Sequence, residues 1–184
     1  GISTNNTTSF SMPQYVACMD AVSRGLERAK ANNVDLSRWR SVITHMSARL
    51  TGLGDMLDQA ALRGIEISPD EAQLAELAVM KRAYRHIRDT GHPSKMLMCS
   101  MRVNKDDGQG GARSLHIEKL AGGDFVYTCP PSYISALMDV EDRLPAFDPD
   151  AINEELPAEL YDRLMRIPFF RQAYEPDGME PHQF

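Results

Sequence analysis

The sequence predicts an α/β protein organised around a parallel sheet. Short apolar runs alternate with longer amphipathic ones in the order β-α-β-α-β-α-β-α, the pattern that lays helices over parallel strands. The longest amphipathic run is marked at both ends by helix start and stop residues. The expected strand ends are rich in hydroxyl, amide and guanidinium side chains, while the expected strand centres are apolar.

Residues 2–10, rich in Thr and Ser, read as a strand end. Residues 12–32 read as a helix, with Pro13 near its start and Tyr15, Val16, Met19, Val22 and Leu26 on one face. Residues 39–46 read as a strand centred on Val42 and Ile43, and 53–63 as a further helix. Ser68-Pro69-Asp70-Glu71 is a capping box with proline at the first helical position. It opens a helix to residue 90 whose stripe is Leu77, Met80, Tyr84 and Ile87, and Gly91 and Pro93 stop it. Then follow a strand at 95–101, a glycine-rich loop at 103–112, a helix at 113–120, a strand at 124–128 and a helix at 130–137. Residues 1–138 thus hold four βα units, with long loops at 51–69 and 103–112. Residues 139–184 form a tail with one expected helix at 158–165. Four units are compatible with an open doubly wound sheet or with part of a barrel, since a whole barrel takes eight strands and roughly 250 residues.

Composition narrows the function classes. The net charge is −6 and the pI about 5.4, so no basic surface points to nucleic acid. No run of 18 apolar residues suggests a membrane span. Cys18, Cys99 and Cys129 form no C-x-x-C pair, which fits a reducing cytoplasm, and they are expected as small buried hydrophobes. Residues 1–10 lack the charged and apolar regions of a signal peptide and read as the middle of a longer protein.

In parallel α/β folds reactive groups gather at the C-terminal ends of strands. The first strand ends Asn5-Asn6-Thr7-Thr8-Ser9, which suits a polyhydroxylated ligand and equally suits a capped turn. The second ends Thr44-His45-Met46-Ser47-Ala48-Arg49 and the third Ser100-Met101-Arg102. Two arginines in the same relative place could clamp a phosphate through paired, charge-assisted hydrogen bonds, although a lone arginine there is usually a surface residue. Gly108-Gln109-Gly110-Gly111 matches no phosphate-loop or dinucleotide fingerprint and reads as a lid or solvent loop. The five histidines show no metal-ligand spacing. No lysine is placed as a desolvated amine: Lys95 begins its strand, and Lys30, Lys81, Lys105 and Lys119 fall on helices or a loop.

Four segments together resemble transaldolase. Gly1-Ile2-Ser3-Thr4-Asn5-Asn6-Thr7-Thr8-Ser9-Phe10-Ser11 is similar to the family's fifth-strand motif G-I-x-x-N-x-T-x-x-F-S. Residues 41–49 resemble its sixth-strand segment ending in arginine, and Cys99-Ser100-Met101-Arg102 its seventh-strand A-S-F-R. Leu120-Ala121-Gly122-Gly123-Asp124, with Thr128 and Pro130, resembles L-A-G-x-D-x-x-T-x-x-P around the eighth strand.

The resemblance implies the C-terminal half, strands 5–8, of a (β/α)8 TIM barrel with a C-terminal helical tail. It implies a cytoplasmic transferase of carbohydrate metabolism, of the pentose phosphate pathway, that moves a dihydroxyacetone unit between sugar phosphates through a lysine Schiff base. No cofactor and no metal is needed. Asn5 would hold hydroxyls of the transferred unit, and Thr7 would position a proton-shuttling water. Thr44 stands where the family usually has serine. Arg49 and Arg102 would grip the phosphate, with Ser100 bonding beside it. The Schiff-base lysine would lie upstream, so the expected partners are sugar phosphates and a complementary N-terminal half-barrel segment, without which the chain is inactive. Self-association is a further option; nucleic acid and membrane are not expected. Met46 stands where transaldolases carry Phe and the related aldolase branch carries Tyr, which leaves transferase and aldolase both open. An enzyme acting on an unusual sugar phosphate and a non-catalytic barrel used for binding are the alternatives.

Overall fold

A computed structural model describes residues 1–106 and 108–183. Its four strands are β1 (Thr4–Ser9), β2 (Ser41–Met46), β3 (Ser94–Cys99) and β4 (Phe125–Tyr127). They form one sheet in the order β1-β2-β3-β4, every pair parallel. Sequential order with no reversal means that this sheet contains no topological switch point of the doubly wound kind. All four strands therefore present their C-terminal ends at one rim.

Helix α1 (Met12–Ala31) starts at Ser11, where Gln14 reaches back to the main chain and Pro13 fits the first turn. Helix α4 (Pro69–Asp89) has the expected capping box, with Ser68 accepting from the Glu71 N–H and Glu71 accepting from the Ser68 N–H. Between β2 and α4 lie two short helices, α2 (Ala48–Thr51) and α3 (Met56–Ala61). The helix expected at 53–63 is thus confined to α3, because Gly52 and Gly54 precede it and Gly64, at positive φ, follows. Gly54 is required by close approach: a Cβ there would meet the Arg49 carbonyl at 2.5 Å and the Phe169 ring at 2.6 Å.

Helix α5 (Leu115–Glu118) is one turn, shorter than the expected 113–120. Arg113 is held instead in an antiparallel bridge to Asn104 that closes the base of the glycine-rich loop. Asp107, within the expected loop 103–112, lies outside the described residues, as does Phe184 of the tail. The motif before β4 has a local reason: Gly122 has φ +85°, and a Cβ there would meet the Pro149 carbonyl oxygen at 1.7 Å. Helix α6 (Pro131–Met138) follows β4.

The core lies on one face of the sheet. Ile43, Met96 and Met98 pack with Met12, Tyr15, Leu77, Met80 and Leu120 in one cluster. By strand alternation Val42, Thr44, Met46, Leu97 and Val126 point the other way. That face is more open, with Asn5 and Val126 exposed and Val42 and Met46 half-buried. The tail joins the same core through α7 (Ala158–Met165), expected, and α8 (Pro168–Tyr174), not expected: Leu164, Ile167, Phe170 and Ala173 are fully buried. The Pro-Phe-Phe start of α8 carries no capping residue, so no start signal marks it in the sequence. The three cysteines are free and only partly buried, not the core residues expected. No helix of the described residues is long and apolar enough to cross a membrane.

His45 is a polar exception inside this core. It is fully buried, its Nδ1 lies 2.7 Å from the Tyr15 hydroxyl, and its Nε2 has no hydrogen-bond partner among the described residues. Burial pushes its pKa down to about 4 from 6.5. Between those values the unfolded chain holds a proton that the folded chain does not, so stability falls as pH drops through this window. We expect His45→Leu to flatten that part of the pH–stability profile in denaturant melts. The difference between wild type and variant should change by roughly 3 kcal/mol from pH 7 to pH 4, on top of a constant cost of about 1–3 kcal/mol for the stranded Tyr15 hydroxyl.

Candidate functional site at the C-terminal rim of the sheet

The rim is built by four segments that leave the strands. The first departs from regular pairing. Asn5 and Asn6 face Val42 and Ile43 in register, but Ser9 pairs with His45, so one extra residue is accommodated between Asn6 and Ser9. Thr8 takes φ +74° there, and Thr7 stays exposed. Asn5 is exposed, while Thr44 beside it is buried and donates from Oγ1 to Asn5 Oδ1 at 2.6 Å. That bond turns the Asn5 amide so that its NH2 group remains available. Asn5 and Thr44, both expected site residues, are therefore brought into direct contact.

The rims of β2 and β3 are stitched together. Ser47 donates to the carbonyls of Cys99 at 3.4 Å and Ser100 at 3.2 Å. Met46 pairs with Cys99 at the last rung of the ladder, half-buried. Ser100 has φ +61°, and its hydroxyl lies 3.9 Å from the Cys99 sulfur. A non-glycine residue held in this region next to a strand end marks a place where the surroundings fix the backbone against its preference.

Arg49 and Arg102 lie at this rim in different electrostatic settings. Arg49 sits in α2 with its Nε buried and without a hydrogen-bond partner, and it makes no ion pair among the described residues. Arg102 is 39% exposed and pairs through Nη2 with Glu76 Oε2 at 2.5 Å. Its Nη1 donates to the Ser100 carbonyl at 3.4 Å.

Sequence reasoning did not reach Glu76, His116 and Thr51. Glu76 lies on α4 with no exposed surface. Thr51 donates to its Oε1, and Arg102 and His116 donate to its Oε2, His116 at 3.2 Å. His116 Nδ1 accepts the Arg102 main-chain N–H at 3.2 Å, which places the ring proton on Nε2, facing Glu76. Burial pushes the Glu76 carboxyl up, but His116, Arg102 and Thr51 outweigh burial and hold it below the ordinary range. A signal was present: Ala72, Glu76, Met80, Ala83 and Ile87 lie on one buried side of α4, and a carboxylate in such a stripe needs partners.

Lys81 also departs from expectation. It is 7% exposed, and burial lowers its pKa to about 8. It is desolvated on α4, away from the rim, and its Nζ donates to the carbonyls of Ala151 and Glu154 at 2.5 and 3.0 Å, anchoring the tail. Lys95, Lys105 and Lys119 are ion-paired with Asp124, Asp139 and Glu154. Among the described residues no group of three or more His, Cys, Asp or Glu side chains converges as a metal site would require.

No family model matches the chain. Among curated proteins it is 30% identical to the transaldolase of Saccharopolyspora erythraea over 152 residues, covering 77% of this chain and 40% of that protein. It is 29% identical to transaldolase 2 of Nostoc punctiforme over 166 residues, 78% of this chain and 43% of that protein. The chain is a sequence relative of the transaldolases. The transaldolase of Thiobacillus denitrificans extends the match to 84% of this chain, at 28% identity over 175 residues. The chain spans about two fifths of the length of the curated transaldolases it matches.

The backbone at Ser100 gives a stability test. Ser100→Gly should leave the melting temperature unchanged or raise stability by up to about 1 kcal/mol, because glycine adopts this φ freely. Ser100→Val should lose about 1–2 kcal/mol, since a β-branched residue is least tolerant of it. Thermal unfolding of the two variants checks both.

Proposed function

We propose that this chain forms the phosphate-binding and hydroxyl-binding side of a transaldolase-type sugar-phosphate transferase. The observation that carries the reading is the rim itself: two arginines, one of them without a counter-charge among the described residues, stand on the same edge as the Asn5–Thr44 pair. The kinship with transaldolases supports it. Arg49 and Arg102 take the substrate phosphate, and the Ser100 hydroxyl bonds beside it. The Asn5 amide takes hydroxyls of the dihydroxyacetone unit, oriented by Thr44. Thr7, exposed at the irregular end of β1, positions the water that carries protons. Met46 lines the space between these groups.

The chemistry requires more than this rim. Cleaving a ketose C–C bond leaves an electron pair on carbon, and a protonated imine absorbs it. Forming the imine needs an amine that is partly neutral and within reach of the ketone. Burial lowers the pKa of Lys81 to about 8, but its amine is tied to two carbonyls beneath the tail, and Lys95, Lys105 and Lys119 are held in ion pairs. The reading therefore assigns the Schiff-base lysine to a part of the active site outside these 184 residues. In the same reading the sheet is four strands of an eight-stranded barrel. Its sequential order and helices on one face are those of a singly wound sheet. The unpaired edges of β1 and β4 and the partly exposed face bearing Asn5 and Val126 are then covered by the other strands.

Two measurements test this. With the complete enzyme, Arg49→Ala and Arg102→Ala should each weaken a phosphorylated ketose by about 1.5–3 kcal/mol and leave the unphosphorylated ketose unchanged. Lysine should restore little at either position, because it lacks the bidentate fork. Equal losses for both ligands would remove the phosphate role.

Borohydride trapping with fructose 6-phosphate, followed by peptide mapping, should give no adduct on Lys30, Lys81, Lys95, Lys105 or Lys119. An adduct on any of them would overturn the assignment. A complete protein that traps nothing would favour a barrel that binds without catalysis.

A further inference from the structure

We infer that Glu76 is a positioning residue for Arg102, a buried carboxylate that fixes the guanidinium so that its remaining N–H groups face the rim. The inference rests on the phosphate-binding reading of Arg102 and adds to it a residue on the far side of the arginine, with no access to ligand itself.

Arg102 leaves β3 just after the strained Ser100, so its side chain has a short backbone tether but a long flexible stem. Left in water, such a stem samples many rotamers, and a bidentate phosphate contact would have to order it at each binding event. In this structure two contacts hold it already: Nη2 to Glu76 Oε2 at 2.5 Å, and Nη1 to the Ser100 carbonyl at 3.4 Å. Both partners are themselves held. The Ser100 carbonyl also accepts from Ser47 at 3.2 Å. Glu76 has no exposed surface, and its second oxygen accepts from Thr51. His116, equally buried, bonds Glu76 Oε2 through Nε2 and the Arg102 main-chain N–H through Nδ1. One imidazole thus joins the backbone of Arg102 to the carboxylate that grips its side chain.

A structural ion pair would need only the Arg–Glu contact. The Thr51 and His116 bonds fix the carboxylate as well, and the guanidinium is then held at two points, Nη2 on Glu76 Oε2 and Nη1 on the Ser100 carbonyl. Arg102 nevertheless remains 39% exposed, so the pair does not close it off from a ligand. The arrangement also divides the labour between the arginines. The charge of Arg102 is matched by Glu76, whereas Arg49 has no counter-charge among the described residues. Arg49 adds net attraction for a dianion to its own hydrogen bonds, and Arg102 supplies chiefly directed hydrogen bonds.

The test is a double-mutant cycle in the complete enzyme, with Kd measured for fructose 6-phosphate and for fructose, and the ratio of the two as readout. General damage to the fold moves both constants and leaves the ratio. Glu76→Gln should lower the preference for the phosphorylated sugar about tenfold, the equivalent of one charge-assisted hydrogen bond. In an Arg102→Ala background the same change should have no further effect, within about twofold. Thr51→Val, which removes only the hydroxyl on Oε1, should lower the ratio in the same direction by a smaller factor. It stands in if Glu76→Gln does not fold. A ratio that drops in Arg102→Ala but is kept in Glu76→Gln and Thr51→Val would leave Glu76 a structural residue and sink the inference. A ratio that rises in Glu76→Gln would show a counter-charge and not a positioner, and would sink it too. No drop in Arg102→Ala would instead reject the phosphate reading on which the inference stands.

Discussion

A carboxylate taken wholly out of water must be met on both oxygens, and Glu76 is met from three directions. Thr51 comes from α2, Arg102 from the segment after β3, and His116 from α5. These three segments belong to the loops that leave the sheet at one rim, and the helix that carries Glu76 lies behind them. The network therefore does what regular secondary structure does not do here, since α2 and α5 are single turns with no side-chain cap. Desolvating the charge costs several kcal/mol, and its partners offset that only while all are in place. Removing one partner of such a buried pair typically costs about 3–5 kcal/mol. The rim is consequently a cooperative unit.

The sheet and its main helices were legible because each rested on a local signal. The box Ser68-Pro69-Asp70-Glu71 starts α4 where it was read, and Met12 to Ala31 forms the first helix to within a residue of its expected end. Short elements were misjudged where a tertiary contact decides them. Gly54 is pinned against the Arg49 carbonyl and the Phe169 ring from the tail, a residue more than a hundred positions away. Arg113 leaves the helix register because Asn104 bonds both its N–H and its carbonyl. The Phe169 contact lies outside any sequence window, and the Asn104–Arg113 bridge carries no periodic signal.

The candidate site divides in the same way. Asn5, Thr44, Ser100 and the two arginines stand out as candidates because strand ends in a parallel fold are where reactive groups gather, and their types are polar in apolar surroundings. Glu76 lies within a helix and away from any strand end in sequence, where the apolar stripe is the dominant signal. Lys81 escaped for a related reason. Its position on α4 suggested a solvated amine, but the tail folds over it and supplies two carbonyls. Whether a charged side chain on a helix is wet depends on what later packs there, and the residues that pack on Lys81 lie 70 or more positions downstream.

The contrast between Arg49 and Arg102 follows from that difference in surroundings. Both stand in the same relative place after neighbouring strands. One now has a buried, fully bonded counter-ion, and the other has a buried Nε with no partner. An unpartnered buried donor is costly in the free protein, by about 1–3 kcal/mol. In the proposed phosphate site an anion would recover that cost, so the donor would contribute to binding without strengthening the unliganded fold. The paired arginine behaves oppositely: it stabilises the fold through Glu76 and adds little net charge to the site. In the proposed phosphate site, attraction and orientation of the anion would thus fall unequally on the two arginines.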